Sequence, residues 1–267
     1  MNPLPIYDDP KYNKKGDLLN DKIAIITGGD SGIGRAVAIS FAYQGANLVI
    51  VHNCEEKDAE QTKKLIENLG RECIVMQGDI SDLNFCKKIV SDTIKKFNKI
   101  DVLVNNAAVQ YQCNDIKNLP DTQFDKTIKT NIYGTFYLTR EALKHMKNGA
   151  SIINTSSVVA FKGHELLLDY AMTKGAITAF TRSLATTLAK NQSGIRVNSV
   201  APGPIWTPLI PSSFDTTKVA AFGQDTPMGR AGQPVECAGA YVFLASKAAS
   251  FITGQTIHIN GGKIING

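Results

Sequence analysis

Seven apolar runs without polar alternation constrain this chain more than any other feature. They are KIAIITGG (22–29), ANLVIVHN (46–53), ECIVMQGD (72–79), IDVLVNNAA (100–108), ASIINTSS (150–157), IRVNSVAPG (195–203) and QTIHING (255–261). A strand that is apolar on successive residues must be covered on both faces, which is the situation of a parallel sheet. Between the runs lie stretches with helical spacing at 33–44, 55–69, 82–98, 121–147, 170–190 and 234–246. Strand alternating with helix predicts βαβ crossovers and an α/β fold, a doubly wound parallel sheet of about seven strands with helices on both faces. With 267 residues and 43% hydrophobic content, one large core is the expectation. Residues 1–20 hold three of the ten prolines and little apolar periodicity, so they are expected to be a surface arm on a single domain spanning 21–267.

Composition removes several classes of function. No apolar run approaches the length that spans a bilayer, and the opening MNPLPIYDDPKYNKKGD lacks the features of a signal peptide, so a cytoplasmic protein with no membrane partner is expected. The five cysteines, Cys54, Cys73, Cys86, Cys113 and Cys237, are odd in number and never CxxC, which argues against disulfides and against a metal site. His145 and His258 have no partner at metal-ligand spacing and read as structural. The net charge of +5 comes from lysines spaced like solvated helix faces, without interleaved aromatics, so nucleic acid is not an expected partner.

The first strand runs into ITGGDSGIGRAVAISFA, where Thr27, Gly28, Gly32 and Gly34 make a T-G-x-x-x-G-x-G turn that opens a helix. Such a turn lets backbone approach a pyrophosphate, and the helix start offers free N–H groups to the phosphates. In this context the glycines predict a Rossmann-type dinucleotide site comprising Gly28, Asp30, Ser31, Gly32, Ile33 and Gly34. An acid at the tip of the second strand normally bonds the ribose 2′-hydroxyl, and a nearby cation accommodates a 2′-phosphate. Here the tip is His52-Asn53-Cys54, followed by Glu55 and Glu56, Ser31 is not basic, and Arg35 lies beyond the last glycine. The missing carboxylate removes a repulsion and favours NADP, with NAD use left open. His52 and Asn53 read equally as cofactor contacts or plain strand-end residues.

The glycine turn, NNAA at 105–108, Asn131, Ser157, Tyr170, Lys174 and PGPIWT at 202–207 occur together in one order. In these motifs the sequence resembles the short-chain dehydrogenase/reductase family over nearly all of residues 20–263. TGGDSGIGRA, LLDYAMTKGAI and the Pro-rich arm look most like its glucose/ribitol dehydrogenase-like branch, which includes NADP-dependent aldehyde reductases and bacterial general-stress proteins. The resemblance implies that Asp79 and Ile80 hold the adenine. It implies that Asn105 stabilises the sheet and, with Ala107, lines the cofactor cleft. It implies that Pro202, Gly203, Ile205 and Thr207 form the bend that meets the nicotinamide. Ala108 stands where the family usually has glycine.

Tyr170 and Lys174 are four apart, so on a helix they share a face. A phenol is a poor base at neutral pH; a neighbouring cation favours the phenolate, and the positive charge of an oxidised nicotinamide pushes the same way, which predicts a tyrosine brought into range as general acid/base. Ser157 would donate to the substrate oxygen. By resemblance, Asn131 would complete a water-linked proton relay to Lys174, which would also bond the nicotinamide ribose. Ser156 is the weaker candidate, because the thirteen-residue separation from Tyr170 selects Ser157. A Tyr and Lys four apart also occur on many surface helices, and it is the company of Ser157, Asn131 and the glycine turn that favours catalysis.

Residues 208–233, interrupted by Pro211, Gly223, Pro227, Gly229 and Gly232, read as a substrate-covering lid. His164, Glu165, Gln110 and Tyr111 are possible substrate contacts, with exposed loop positions as the plainer alternative for the first pair. The helices at 121–147 and 170–190 carry small and apolar residues on more than one face, and with the resemblance this predicts a homotetramer, a dimer being the alternative. The expected activity is interconversion of a carbonyl (aldehyde, ketone or sugar) and an alcohol or polyol, on a small-molecule substrate. A non-catalytic dinucleotide sensor is the second reading. A sugar-nucleotide epimerase also uses a Tyr and Lys four apart, but the glycine spacing and the short C-terminal part disfavour it.

Overall fold

A computed structural model of the chain describes residues 1–213 and 219–263. Its seven strands are β1 (Ile23–Thr27), β2 (Asn47–His52), β3 (Cys73–Gln77), β4 (Ile100–Asn105), β5 (Met146–Thr155), β6 (Arg196–Pro202) and β7 (Thr256–Ile259). They pair in parallel in the order β3-β2-β1-β4-β5-β6-β7, the doubly wound sheet that the apolar runs predict. The chain winds outward from β1 to β3 and then returns to place β4 on the other side of β1. The carboxyl ends of β1 and β4 therefore border a crevice at the reversal point, where ligands of such sheets bind.

The helices divide between the two faces. α1 (Gly32–Tyr43), α2 (Glu56–Asn68) and α9 (Pro234–Ala245) cover one face, where Phe41, Ile66, Tyr241 and Leu244 pack on Ala24, Ile26, Leu48 and Val104. α3 (Leu83–Phe97), α5 (Thr135–Leu143) and α7 (Leu168–Lys190) cover the other, where Ile89, Leu138, Ala142 and Ala185 pack on Ile25, Val49, Leu103 and Ile152. Both faces of the central strands are thus sealed, which explains runs such as Ile23–Thr27 that are buried at every residue.

The region 121–147 departs from the single helix expected there. α4 (Asp121–Ile128) passes into a π-helical turn at Lys129–Gly134 before α5 begins, and α5 ends at Leu143. The extra residue in that turn carries Asn131, whose side chain bonds the Val109 backbone on both sides, with 2.9 Å from the Val109 N–H to Oδ1 and 2.9 Å from Nδ2 to the Val109 carbonyl. Gly134 makes room for it, since a Cβ there would lie 2.7 Å from Ile80. β5 begins earlier than its apolar run, at Met146 opposite Ile100, with a register irregularity before Ser151 pairs with Val102. Two short helices, α6 (Val159–Lys162) and α8 (Leu209–Ser213), were not signalled by periodicity.

Residues 1–20 run along the surface, mostly exposed, and are fastened to it at a few points. Leu19 is fully buried, the backbone N–H of Gly16 bonds the Tyr43 carbonyl at 3.0 Å, and buried Asn13 accepts a 2.7 Å hydrogen bond from Ser40 of α1.

Candidate active site

The crevice opens into a cleft of ≈1100 Å³ that runs from the glycine turn to the loop after α6. At its first end Gly28, Asp30, Ser31, Gly32 and Ile33 form the wall. Gly32 adopts φ +52 and lies against Thr207, and Gly34 packs so closely that a Cβ would fall 1.8 Å from the Gly28 carbonyl oxygen. Gly34 therefore shapes the turn from behind rather than lining it. Ser31 makes no side-chain cap and the first turn of α1 carries no acid, so the helix start is left free for an anionic group. Thr27 Oγ1 accepts the N–H groups of Asn106 (2.9 Å) and Ala107 (3.0 Å), and Asn106 Nδ2 donates back to the Thr27 carbonyl at 3.1 Å. Asn106, passed over in the sequence, thus ties the ends of β1 and β4 together.

At the tip of β2, His52 is 4% exposed and neither ring nitrogen has a partner. Asn53, Cys54, Asp79 and Ile80 complete this wall, as does Lys126 of α4, a cation that nothing in the sequence signalled. Burial holds the Asp30 carboxyl above its usual range, against the opposing pull of its own backbone N–H, Ser31 and His52. Arg35 is turned away from the tip. Its guanidinium bonds the Asp30 carbonyl (2.8 Å), Thr62 (2.9 Å) and the Asp58 carboxylate (2.8 Å). The glycine cradle, the open helix start and the unpartnered His52 nitrogens fit a dinucleotide.

β5 delivers two serines in different directions. Ser156 faces inward, bonding Thr178 at 2.7 Å and the Lys174 carbonyl at 3.3 Å. Ser157 faces the cleft beside Tyr170, near enough for its hydroxyl to act on the phenol, while its Oγ accepts the Val159 N–H at 3.3 Å. Lys174 lies one turn below Tyr170, with Nζ 5.4 Å from the phenol ring centroid and 2.6 Å from the Thr155 carbonyl oxygen to which it donates. Both side chains line the cleft.

The lowered phenol pKa expected from the sequence is not a property of the chain by itself. Burial pushes Tyr170 up to about 12, outweighing the opposing pull of the Ser157 hydroxyl. The same desolvation pulls Lys174 down to about 7, which weakens the cation that was to lower the phenol.

Asn131 is fully buried and reaches α7 through Thr173, to which Nδ2 donates at 3.1 Å. Thr173 in turn donates to the Tyr170 carbonyl at 2.7 Å. Asn105 lies beneath the floor rather than on the wall, bonding Thr139 and Asn154 at 2.9 Å each, so its place is in the sheet. Ala107 does line the cleft.

At the far end Pro202, Gly203, Ile205 and Thr207 line the wall, with Ile205 bridged to Gly232. α8 follows directly and is fastened by Gln110, whose Nε2 donates to Ser213 Oγ at 3.0 Å, and by Gln112, which donates to the Ser213 carbonyl. Gln110 therefore holds α8 as well as lining the cleft. Tyr111, His164 and Glu165 line the rim, with His164 and Glu165 3.8 Å apart. Residues 214–218 of the expected lid, and 264–267 of the tail, lie outside the described residues.

Among the described residues no helix is long and apolar enough to cross a membrane, and no group of three or more His, Cys, Asp and Glu is placed to hold a metal ion. A family model described as "Enoyl-(Acyl carrier protein) reductase" matches residues 28–263. General stress protein 39 of Bacillus subtilis is 52% identical over 265 residues, covering 99% of this chain and 92% of that protein. NADPH-dependent aldehyde reductase 1, chloroplastic, of Arabidopsis thaliana is 49% identical over 273 residues, covering 100% of this chain and 94% of that one. The crystal structure of a short-chain dehydrogenase/reductase described as a glucose/ribitol dehydrogenase, from Brucella melitensis, superposes with a TM-score of 0.85 at 34% identity, over 94% of this chain and 100% of that one. With the parallel sheet, the glycine turn and the Ser157, Tyr170 and Lys174 cluster in one cleft, these likenesses establish that the chain belongs to the short-chain dehydrogenase/reductase family of oxidoreductases.

Proposed function

We propose that this protein is an NADPH-preferring oxidoreductase that interconverts a carbonyl and an alcohol, acting on an aldehyde, ketone, sugar or polyol. The observation that carries the reading is the meeting of Ser157, Tyr170 and Lys174 on one wall of the same cleft that begins at the glycine turn, with Lys174 Nζ 5.4 Å from the Tyr170 ring centroid. Gly28 to Ile33 and the start of α1 would hold the pyrophosphate, His52 and Lys126 the adenosine side, and Ile205 and Thr207 the nicotinamide end. The bound nicotinamide supplies or accepts the hydride.

The rest is the work of this chain's own residues. Ser157 donates a hydrogen bond to the substrate oxygen and so orients the reacting carbon. Tyr170 exchanges a proton at that same oxygen. In the free protein the phenol keeps its proton at neutral pH, the form that donates in carbonyl reduction. Lys174 sits close enough to favour charge on the phenol oxygen when the proton leaves, and Asn131 leads by water to Lys174 as the route for proton replacement. NADPH preference is supported by His52 and Asn53 standing where a carboxylate would end β2, with Glu55 the first acid beyond them, by Lys126, and by the Arabidopsis relative whose name states NADPH dependence.

We place the protein in the cytoplasm, in keeping with its free cysteines, and as a homotetramer. Phe124, Tyr133, Phe136 and Met172 are exposed on α4, the π-helical turn, α5 and α7, and the Phe136 and Phe180 rings meet edge-on at 6.3 Å, which suits a second copy packed on this face. The test is oxidation of NADPH and NADH by the purified protein across a panel of aldehydes, ketones and sugars. Turnover with at least one carbonyl, faster with NADPH, is expected. Cofactor binding with no turnover on any carbonyl or alcohol would instead support the sensor reading.

A further inference from the structure

Trp206, the only tryptophan of the chain, sits between Ile205 and Thr207 in the bend at the far end of the cleft. Its backbone N–H bonds the Gly232 carbonyl at 2.8 Å, and its ring centroid lies 6.5 Å from that of Phe222 on the cleft wall. Its indole N–H points away from the cleft and donates to the backbone carbonyl of Pro3 at 2.8 Å. Further along the arm, Ile6 N–H donates to Gln233 Oε1 at 2.9 Å, and the Ile6 carbonyl accepts the N–H of Val235 in the first turn of α9 at 3.1 Å. The Tyr12 hydroxyl reaches Glu236 at 3.5 Å, the carboxylate that also takes two 2.7 Å bonds from Arg230. Tyr7 then stacks under the Arg35 guanidinium of α1 at 4.7 Å.

The arm therefore meets the segment 207–233 at both of its ends and joins them to the helix that opens the glycine turn. Apolar burial does not account for this path, because Leu4 is 75% exposed and Ile6 45%. Directional hydrogen bonds do. We infer that residues 2–8 are a strap that positions the Ile205–Thr207 bend, with Trp206 as the positioning residue and the Pro3 carbonyl as its anchor. The inference rests on the proposed function for the assignment of that bend to the cofactor. A bend freed from its anchor can still form, but it meets the ligand in a looser geometry, and small misplacements of binding groups are costly.

Because Trp206 is the sole tryptophan, intrinsic fluorescence reports on this bend alone. Three variants test the strap: deletion of residues 2–8, Trp206→Phe, and Ser40→Ala, which breaks the arm's anchor at Asn13 without touching the bend. In the free protein, the deletion is expected to shift Trp206 emission to the red. Both the deletion and Trp206→Phe should raise the Kd for NADPH about three- to tenfold, because a bend no longer held in place must be ordered by the ligand. The combined variant should show no further loss, since both changes remove the same bond. Ser40→Ala should lower Tm and leave the Kd unchanged. The strap is overturned if emission and Kd are unmoved by the deletion, or if Ser40→Ala weakens NADPH as much as Trp206→Phe. If the wild-type protein binds neither NADPH nor NADH, the functional reading fails, and the emission shift of the free protein still decides the strap.

Discussion

Lys174 of α7 donates to the backbone carbonyl of Thr155, the last residue of β5, at 2.6 Å. The hydroxyl of the same threonine bonds Tyr241 at 2.8 Å and Asn106 at 3.3 Å. Since Asn106 also grips the end of β1, one residue connects the lysine, the sheet, α9 and the glycine turn. The lysine is held by a carbonyl dipole inside the protein, and burial is what sets its pKa low.

That burial makes a prediction about stability. Lys174 has a folded pKa of about 7 against its ordinary 10.5, so the unfolded chain binds the extra proton between those values and stability rises with pH across that window. Below about 7 the full cost of charging a buried amine is present. Lys174→Met should therefore stabilise the free protein at about pH 6, by on the order of 2 kcal/mol after the loss of the Thr155 hydrogen bond is subtracted. The advantage should shrink or reverse at about pH 9, where Tyr170 is still protonated in both states. Urea unfolding at the two pH values measures it; an equal effect at both would mean that Lys174 is not desolvated.

Tyr170→Phe removes the proton donor and keeps the ring that packs beside Val158, Val159 and Leu167. A fall in kcat of roughly a hundredfold to ten-thousandfold is expected, with NADPH binding and Tm close to wild type. Ser157→Ala should lower kcat by about one to two orders of magnitude, because the substrate oxygen loses a hydrogen bond that strengthens as charge develops. Single-turnover assays with equilibrium cofactor binding separate these outcomes from a loss of folding.

The strands and long helices could be read from the sequence because both faces of the sheet are sealed, so runs such as Ile23–Thr27 have no polar residue to blur them. The cleft could be read where chemistry demands a residue type: glycine at Gly28, Gly32 and Gly34, and the Tyr170 and Lys174 pair on one helical turn. What stayed hidden depends on contacts between distant segments. The π-helical turn at Asn131 answers to the Val109 backbone, Lys126 reaches the adenosine wall only through the packing of α4, and Thr155 matters through its carbonyl, which no sequence pattern marks. The pKa directions of Tyr170 and Lys174 in the free chain stayed hidden for the same reason. Spacing places the two side chains together but gives no measure of their desolvation.

His52→Asp tests the adenosine end. The histidine is buried at the β2 tip with both ring nitrogens unpartnered, and Arg35 is committed to Asp58 and Thr62. A carboxylate in its place would repel a 2′-phosphate and accept from a 2′-hydroxyl. The ratio of kcat/KM for NADPH over NADH should fall at least about tenfold, an energetic change of about 1.4 kcal/mol. An unchanged ratio would place the discrimination elsewhere, with Lys126→Ala as the next variant to measure.

Phe136→Glu tests the exposed aromatic face. Phe136 is 43% exposed and meets Phe180 edge-on. A charge buried between copies is strongly unfavourable, so the variant should shift the protein from tetramer toward smaller species in light scattering. A wild-type monomer by the same measurement would remove the assembly from the proposal.

Two glycine-to-alanine changes, one in α1 and one in α7, should have opposite effects. At Gly34 the new Cβ would fall 1.8 Å from the Gly28 carbonyl oxygen, which is backbone and cannot swing aside. α1 must then pull back from the turn and with it the N–H groups offered to the pyrophosphate. NADPH affinity should drop by about a hundredfold or more, and stability by about 1–3 kcal/mol, the usual cost of overpacking. At Gly175, one residue after Lys174, no atom stands within 4 Å of the added methyl. Helix propensity alone then acts, and Gly175→Ala should stabilise by about 0.5–1 kcal/mol with cofactor binding unchanged. Thermal unfolding and NADPH titration of both variants check the pair; loss of affinity in Gly175→Ala would show that α7 moves when the cleft is filled.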